Sequence, residues 1–400
     1  MLPMDRRTFT KMLGLMSLPS KRVFGEIKNN QNIVVIGAGI VGVTIAFELV
    51  KKGANVTLIE KNSPASGASG HSFSWINATY PKRPYDYNLL SQLGISAYKS
   101  LETEIDLKIR WNGSLEWFRE EKLQNILRTE IDNLKRYPTF TPVNLITSDE
   151  AESLEPNVDF NHSSTISYSE SDGAIDTERA IQLILQSYKS YGGKIIYPCQ
   201  FKSFNKKNNK LISIDTTTGN IQADYAIFAC GINTDKELRI NSSSIPTSGI
   251  IIKTKPMKNL FNRIIVGPGV HIHQQLDGSV IIGEQDGAPL THFERLREKP
   301  NRFPSKEFEE MHIERIMNHA KIFTNGLEDI DIDHVSIGWR PLPKDGVPVI
   351  GRINSIQGVY VAMMHSGVSL AAVVSKLVTE EILEDKNNSL LDHFRPSRFA

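Results

Sequence analysis

An α/β fold is predicted by three features of the chain. Near its start, the β-branched run Ile33 to Ile36 turns through glycines into an apolar helix and then a second strand, Asn55 to Ile59. In the middle, Val270 to Glu284 alternates like a hairpin with a turn at Asp277-Gly278, and Arg119 to Tyr137 reads as a charged amphipathic helix. Near the end, a helix with Leu370, Val373, Val374, Leu377 and Val378 on one face follows His365.

The first unit is the most informative. Ile33 to Ile36 has the composition of a fully buried parallel strand. Gly37, Gly39 and Gly42, with Ala38, Ile40 and Val41 between them, form G-x-G-x-x-G at the strand-to-helix turn. The first glycine permits the tight turn, the second lets the backbone approach a pyrophosphate, and the third lets the helix pack on the strand. Ile40, Val43, Ala46, Phe47 and Val50 share a helical face, and Gly53 ends the helix. Glu60 closes the next strand, 23 residues after Gly37, with Lys61 behind it. An acidic side chain there accepts hydrogen bonds from the adenosine ribose, and a free carboxylate argues against a 2′-phosphate. A glycine-rich turn with no ligand does not account for strand, helix, second strand and terminal Glu together. The ligand end is therefore ADP-like, which fits FAD and NAD equally.

Bulk properties narrow the class further. The 400 residues carry 46 basic and 45 acidic side chains, a net charge of +1, so no electrostatic footprint for nucleic acid exists. Forty per cent apolar and 23% charged residues exclude disorder, collagen and coiled coil. Cys199 and Cys230 are too few for a disulfide framework or a zinc site, and no metal is expected. Ile33 to Phe47 is uncharged but shorter than the ~20 residues of a spanning helix, so no transmembrane span is expected. Residues 1–30 form a separate tail. There, Arg6-Arg7 before Phe9 and Lys11, followed by the apolar run Met12 to Leu18, resembles a twin-arginine export signal and points to the bacterial periplasm or cell envelope. The run is short and no A-x-A site follows, so a basic tail on a cytoplasmic protein is the competing reading.

Directly after Lys61 the chain reads NSPASGASGHSFSWINA, small residues that let the backbone run along an extended cofactor or make a flexible linker. With this stretch, four others carry a resemblance: SDGAIDTERAIQLILQSYKSYGGKIIYP from Ser171, ADYAIFACG from Ala223, IGWRPLPKDGVPVIG from Ile337, and GVYVAMMHSGVSLAAVVSKLVTEEIL from Gly358. Together with the tail DHFRPSRF from Asp392, they resemble the FAD-dependent D-amino-acid oxidase superfamily, which includes glycine oxidase, sarcosine oxidase and D-amino-acid dehydrogenases. The likeness runs over nearly everything after residue 31.

The resemblance implies an FAD-binding Rossmann-like domain interleaved with a mixed-sheet α+β substrate domain. The FAD domain would comprise 31–110, 171–245 and 331–400, and the substrate domain 111–170 and 246–330. It implies FAD contacts at Gly37 to Gly42, Glu60, Lys61, Ser66, Gly67, Ala68, Ser69, His71, Ala229, Cys230, Gly231, Ser366, Gly367 and Val368. It assigns Arg340, in G-x-R-P, to the substrate carboxylate, a role suited to a planar guanidinium that binds bidentately. A structural ion pair on a loop is the alternative. His365 begins the C-terminal block, whose helix N-terminus would stabilise charge on reduced flavin through its unpaired N–H groups; a plain helix start capped by Ser366 is the alternative. Met364 stands where the family commonly has Gly.

Several residues carry weaker signals. His71 fits the S-G-x-x-x-H context in which some relatives, such as dimethylglycine dehydrogenase, link flavin covalently, although non-covalent FAD is expected. His271 and His273 share a strand face without a third metal ligand. Cys230 reads as packing. Trp75, Tyr80, Tyr85 and Tyr87 are candidates for a pocket wall or for core.

The expected reaction is oxidation of a small amino acid or N-methyl amino acid by hydride transfer from the amine-bearing carbon to flavin N5, giving an imine that hydrolyses. Oxygen or a quinone would take the electrons. Three alternatives share parts of the pattern: an NAD-dependent dehydrogenase, which has no use for the His365 block; an FAD-dependent 2-hydroxy-acid oxidoreductase using the same arginine; and a non-enzymatic flavin-bound assembly protein.

Overall fold

The computed structural model describes residues 31–399 apart from 79–81, 138, 140–142, 161–162, 244–246, 286–287, 289–291, 293–294 and 298–301. The twin-arginine-like segment and Tyr80 lie outside the described residues.

Two large sheets organise the chain. The first has six strands in the order Val349–Arg352, Val359–Met363, Tyr225–Phe228, Asn32–Ile36, Asn55–Ile59, Lys194–Ile196. All its pairs are parallel except the edge pair Val349–Arg352 with Val359–Met363. The chain winds outward in both directions from Asn32–Ile36, so a crevice opens at the carboxyl ends of Asn32–Ile36 and Tyr225–Phe228, where ligands bind in sheets of this kind. Helix Ile40–Lys51 follows the first strand and is flanked by helices Gly367–Glu384 and Thr177–Ser190. The sequence predicted one apolar face for it. In the structure ten of its residues are buried, including Thr44 and Glu48, because neighbours cover both sides. Gly53, at φ +87°, ends this helix as expected.

The second sheet has eight strands, ordered Ile332–Arg340, Thr247–Thr254, Val280–Glu284, Val270–Gln274, Ile264–Gly267, Ser114–Trp117, Ile166–Ser169, Asn144–Ile146. Its pairs are antiparallel except Ile264–Gly267 with Ser114–Trp117. Trp117 anchors a core with Phe160 and Phe323, at ring distances of 4.7 and 5.0 Å. The sequence placed the return to the first sheet near 331. The structure carries Ile332–Arg340 in the eight-stranded sheet, and the first sheet resumes only at Val349.

Three smaller features flank the sheets. The amphipathic helix spans Glu121–Leu134 and buries Leu127, Ile131 and Leu134, but Ile126 is 48% exposed on its outer side. Asn208 and Asn209, both at positive φ, form a hairpin turn that joins Phe201–Lys207 to Lys210–Thr216 in a three-stranded meander. The segment from Ser171, Asp172-Gly173 through Asp176, leads into helix Thr177–Ser190 and anchors the fold. Buried Asp172 accepts from Trp75 Nε1 at 3.0 Å and Ser114 Oγ at 2.8 Å, while Asp176 caps Thr177–Ser190 through the Arg179 N–H.

The C-terminal tail is locked down. Fully buried Glu381 accepts from Nη1 and Nη2 of Arg395, at 2.9 and 2.6 Å, and from the Tyr360 hydroxyl at 2.6 Å. This charge-assisted bidentate pair ties 389–399 to the helix that begins at the crevice. No described helix is long and apolar enough to cross a membrane.

Candidate active site

A cavity of about 740 Å³ lies between the two sheets and opens at the crevice. Its nucleotide end is built on the glycine turn. Gly37 has φ +107°, and a Cβ there would stand 2.5 Å from the Ala229 carbonyl oxygen of the neighbouring strand. At Gly42 a Cβ would meet the Gly37 carbonyl oxygen at 1.9 Å, so the helix approaches the strand only because this residue has no side chain. Gly39, Ile40 and Val41 line the cavity; Ala38 is fully buried and Gly42 is packed behind the turn, so neither reaches it.

Glu60 and Lys61 line the same end. The Glu60 carboxylate accepts from the backbone N–H of Ala38 and of Asn62, each at 2.9 Å, which fixes it beside the turn. The small-residue loop folds back over the helix start: Ala65 N–H donates to Ala38 O at 3.1 Å, and Ile40 N–H donates to Ser69 Oγ at 3.0 Å. Ser66, Gly67, Ala68, Ser69 and His71 therefore line the cavity, with Ala229, Cys230 and Gly231 facing them from the neighbouring strand. Cys230 Sγ donates to Ile36 O at 3.3 Å, and burial pushes its thiol up, so it packs rather than reacts. A glycine path, a fixed carboxylate and the buried, unpartnered Nδ1 of His71 fit an extended dinucleotide.

The C-terminal block meets this cavity from the first sheet. His365, Ser366, Gly367 and Val368 all line it at the start of helix Gly367–Glu384. Ser366 occupies the N-cap position without capping; its hydroxyl instead pairs with Tyr87 Oη at 2.6 Å. Arg340 is the last residue of its strand and lines the cavity, with Nη2 donating to Glu284 O at 3.4 Å. Gly249 makes room for it, since a Cβ there would press on the guanidinium at 3.2 Å.

Histidines near Arg340 are held neutral. His365 faces the open cleft, yet the surrounding protein, then the positive charges of Arg340 and Lys82, bring it down to about 4. Burial, then Arg340, does the same to His271, also to about 4. His271 lines the cavity, but His273 is only 1% exposed and uses Nε2 to donate to Phe73 O at 2.8 Å. Burial lowers His273 to about 4 as well. A histidine lowered on folding binds its proton more readily when unfolded, so stability is present above about pH 6.5 and lost as pH falls towards 4. The midpoint of thermal unfolding is expected to drop across that window, and His273→Gln to flatten the drop; a flat profile in the parent protein would contradict this.

Among the cavity residues that sequence reasoning missed, Lys82 and Glu116 carry the most perturbed charges. Lys82 is buried; Nζ donates to Asn77 O at 3.1 Å and Ser91 Oγ at 3.0 Å and lies 5.6 Å from the Tyr87 ring centre. Burial brings its ammonium down to about 8, against the opposing pull of Asp172. Glu116 is also buried, and burial together with the like charge of Asp172 raises its carboxyl to about 7. A charged residue between Leu115 and Trp117 in a short strand was the available signal for Glu116; Lys82, in a Pro-Lys-Arg-Pro loop, offered none. Of the aromatic candidates, Trp75 and Tyr87 line the cavity, whereas Tyr85 meets Tyr137 edge to face and shares a hydrogen bond with Thr139. Among the described residues no group of three or more His, Cys, Asp or Glu is placed to hold a metal ion.

The chain is similar over most of its length to several known proteins. The bifunctional protein ThiO/ThiG of Trichormus variabilis is 23% identical over 385 residues, covering 92% of this chain and 55% of that protein. Glycine oxidase of Bacillus subtilis is 22% identical over 390 residues, covering 93% of this chain and 98% of that one. The crystal structure of L-proline dehydrogenase from P. horikoshii superposes with a TM-score of 0.80 at 24% identity, covering 92% of this chain and 97% of that one. The chain spans about half the length of the first of these relatives. The family model for FAD dependent oxidoreductase, DAO, matches residues 32–381, which takes in the glycine turn, both sheets and the Arg340 and His365 positions. The chain is a member of this DAO family of FAD-dependent oxidoreductases.

Proposed function

We propose that this protein oxidises a small amino acid or N-methyl amino acid at its amine-bearing carbon, with FAD held non-covalently. The observation that carries the reading is Arg340: a guanidinium at the end of a strand, backed by the Glu284 carbonyl and given space by Gly249, inside the FAD cavity. A carboxylate docked on that planar fork is fixed in distance and orientation. Relatives named for glycine and L-proline lend the substrate class support.

When bound, FAD supplies a two-electron acceptor for hydride. The chain supplies position and charge. Arg340 holds the carboxylate, so the substituents on the adjacent carbon take a fixed direction. His271 and His365, neutral at pH 7, add no competing charge beside it. The N–H groups at the start of Gly367–Glu384 stay uncapped by Ser366 and present the positive end of the helix to the cavity. The substrate amine must be neutral to release hydride from its carbon, and water then hydrolyses the imine. Lys82, lowered to about 8 inside the same cavity, is suited to hold or pass the amine proton near neutral pH.

The test is anaerobic addition of glycine, sarcosine, proline, a series of D-amino acids and 2-hydroxy acids to the purified yellow protein. Bleaching of the flavin by an amine substrate is expected. Bleaching only by hydroxy acids would move the reaction to the 2-hydroxy-acid class, and no bleaching would favour a flavin-bound protein without turnover. Acid precipitation is expected to release yellow flavin into the supernatant; flavin kept in the pellet would point to a covalent bond, with His71 as the candidate.

A further inference from the structure

One wall of the cavity is a single row of the eight-stranded sheet. Cross-strand partners run Glu116, Val266, His271, Gly283, Ile251, and opposed residues project from one face. On the next strand the row continues to Ser336; Arg340 stands four residues further along, paired with Thr247, and its guanidinium reaches Gly249 and the Glu284 carbonyl beside this end of the row. Glu116 stands at the other, 8% exposed and lining the cavity. No hydrogen bond to its carboxyl forms among the described residues; the bonds it makes are of its backbone, in the strand pairings and with the Ser167 hydroxyl.

A buried carboxyl without a donor is costly unless something pairs with it. Its neighbour Asp172 is already satisfied by Trp75, Ser114 and the Ala78 N–H, and adds negative potential rather than a counter-ion. Between the two ends Val266 is packed under Phe73 and Trp75, and the cavity meets those two rings, the neutral His271 and Ile251, a surface suited to methylene groups. The wall thus runs from a cation, over apolar ground, to an acid.

We propose that Glu116 receives a distal cationic group of the substrate, so that amino acids ending in an amine or guanidine are preferred over neutral ones of equal length. The proposal rests on Arg340 taking the carboxylate. The spacing supports it: from the strand of Glu284 to that of Glu116 is three strand steps, roughly 14 Å. Contacts of about 3 Å at each end leave roughly 8 Å for the ligand, close to an extended six-bond chain from carboxyl carbon to terminal nitrogen, as in lysine.

The test measures binding without turnover. Hexanoate and 6-aminohexanoate share a carboxylate and chain length, differ by the terminal ammonium, and carry no α-amine. Calorimetric titration of the FAD-loaded protein is expected to give at least about tenfold tighter binding of 6-aminohexanoate, equivalent to roughly 1.4 kcal/mol. Glu116→Gln, and Glu116→Ala as a second variant, should bring that ratio towards one, and the lysine-to-norleucine ratio of kcat/KM should fall with it. Equal affinities in the parent protein, no binding of either ligand, or a ratio that survives both variants would overturn the proposal. Arg340→Ala separates the two readings: it should weaken both ligands alike, and if it weakens neither, the carboxylate clamp fails on its own evidence.

Discussion

Replacing Arg340 with alanine is expected to lower kcat/KM by about a hundredfold to a thousandfold, with KM raised and FAD still bound. The size follows from the loss of a buried charge-assisted pair, roughly 3–4 kcal/mol. FAD should stay because its proposed contacts lie elsewhere, along the glycine turn, Glu60 and the 66–69 loop. The Glu284 carbonyl bonded to Nη2 can turn to water in the cavity, so the fold should survive. Arg340→Lys keeps the charge but loses the fork, and is expected to recover only part of the activity. Steady-state kinetics with the flavin absorbance as a check on occupancy decide the matter; unchanged kinetics would remove Arg340 from the site.

A Cβ at position 42 is expected to be still more damaging. Gly42→Ala would place that atom 1.9 Å from the Gly37 carbonyl oxygen and 3.1 Å from its carbon, both backbone atoms of the turn itself. Side chains can rotate away from such an overlap, but this turn cannot. Gly37 is pinned from both sides, by the Ala229 carbonyl after one neighbouring strand and by its own N–H, which donates to Ile59 O of the other at 2.8 Å. Either the helix moves off the strand, costing packing against Gly367–Glu384 and Thr177–Ser190, or the turn deforms and the nucleotide path closes. Overpacking of this kind costs about 1–3 kcal/mol or more. The expected result is protein with little bound flavin and a lowered unfolding midpoint, read from the ratio of flavin to protein absorbance and a thermal scan. Full occupancy with an unchanged midpoint would contradict the structural role assigned to Gly42.

These two residues also show where the sequence was informative. The turn at Gly37 to Gly42 was legible because its chemistry is local: the glycine spacing, the flanking strand and Glu60 fall within about two dozen residues. Arg340 was legible through a short motif, but its surroundings were not, since Gly249 and Glu284 lie on other strands. Ser366 looked like a helix cap. Its hydroxyl is taken by Tyr87, 279 residues away, and no local pattern encodes such a pair. Lys82 and Glu116 were missed for the same reason, because burial is set by distant chain and both types are ordinarily exposed. The order of the eight-stranded sheet was hidden too: Ser114–Trp117 pairs in parallel with Ile264–Gly267, across some hundred and fifty residues. That pairing puts Glu116 on the same wall as His271 and gives the site its two charged ends.

The central claim is that this chain oxidises an amine-bearing carbon next to a carboxylate held by Arg340. Anaerobic stopped-flow reduction of the bound flavin tests it most directly, using the most active amino acid of the panel in protiated and α-deuterated forms. Bleaching that saturates with substrate, slows on deuteration and yields the carbonyl product in equal amount to the flavin reduced is the predicted result. A flavin that no amino acid or N-methyl amino acid bleaches, or one bleached just as fast in Arg340→Ala, would contradict it.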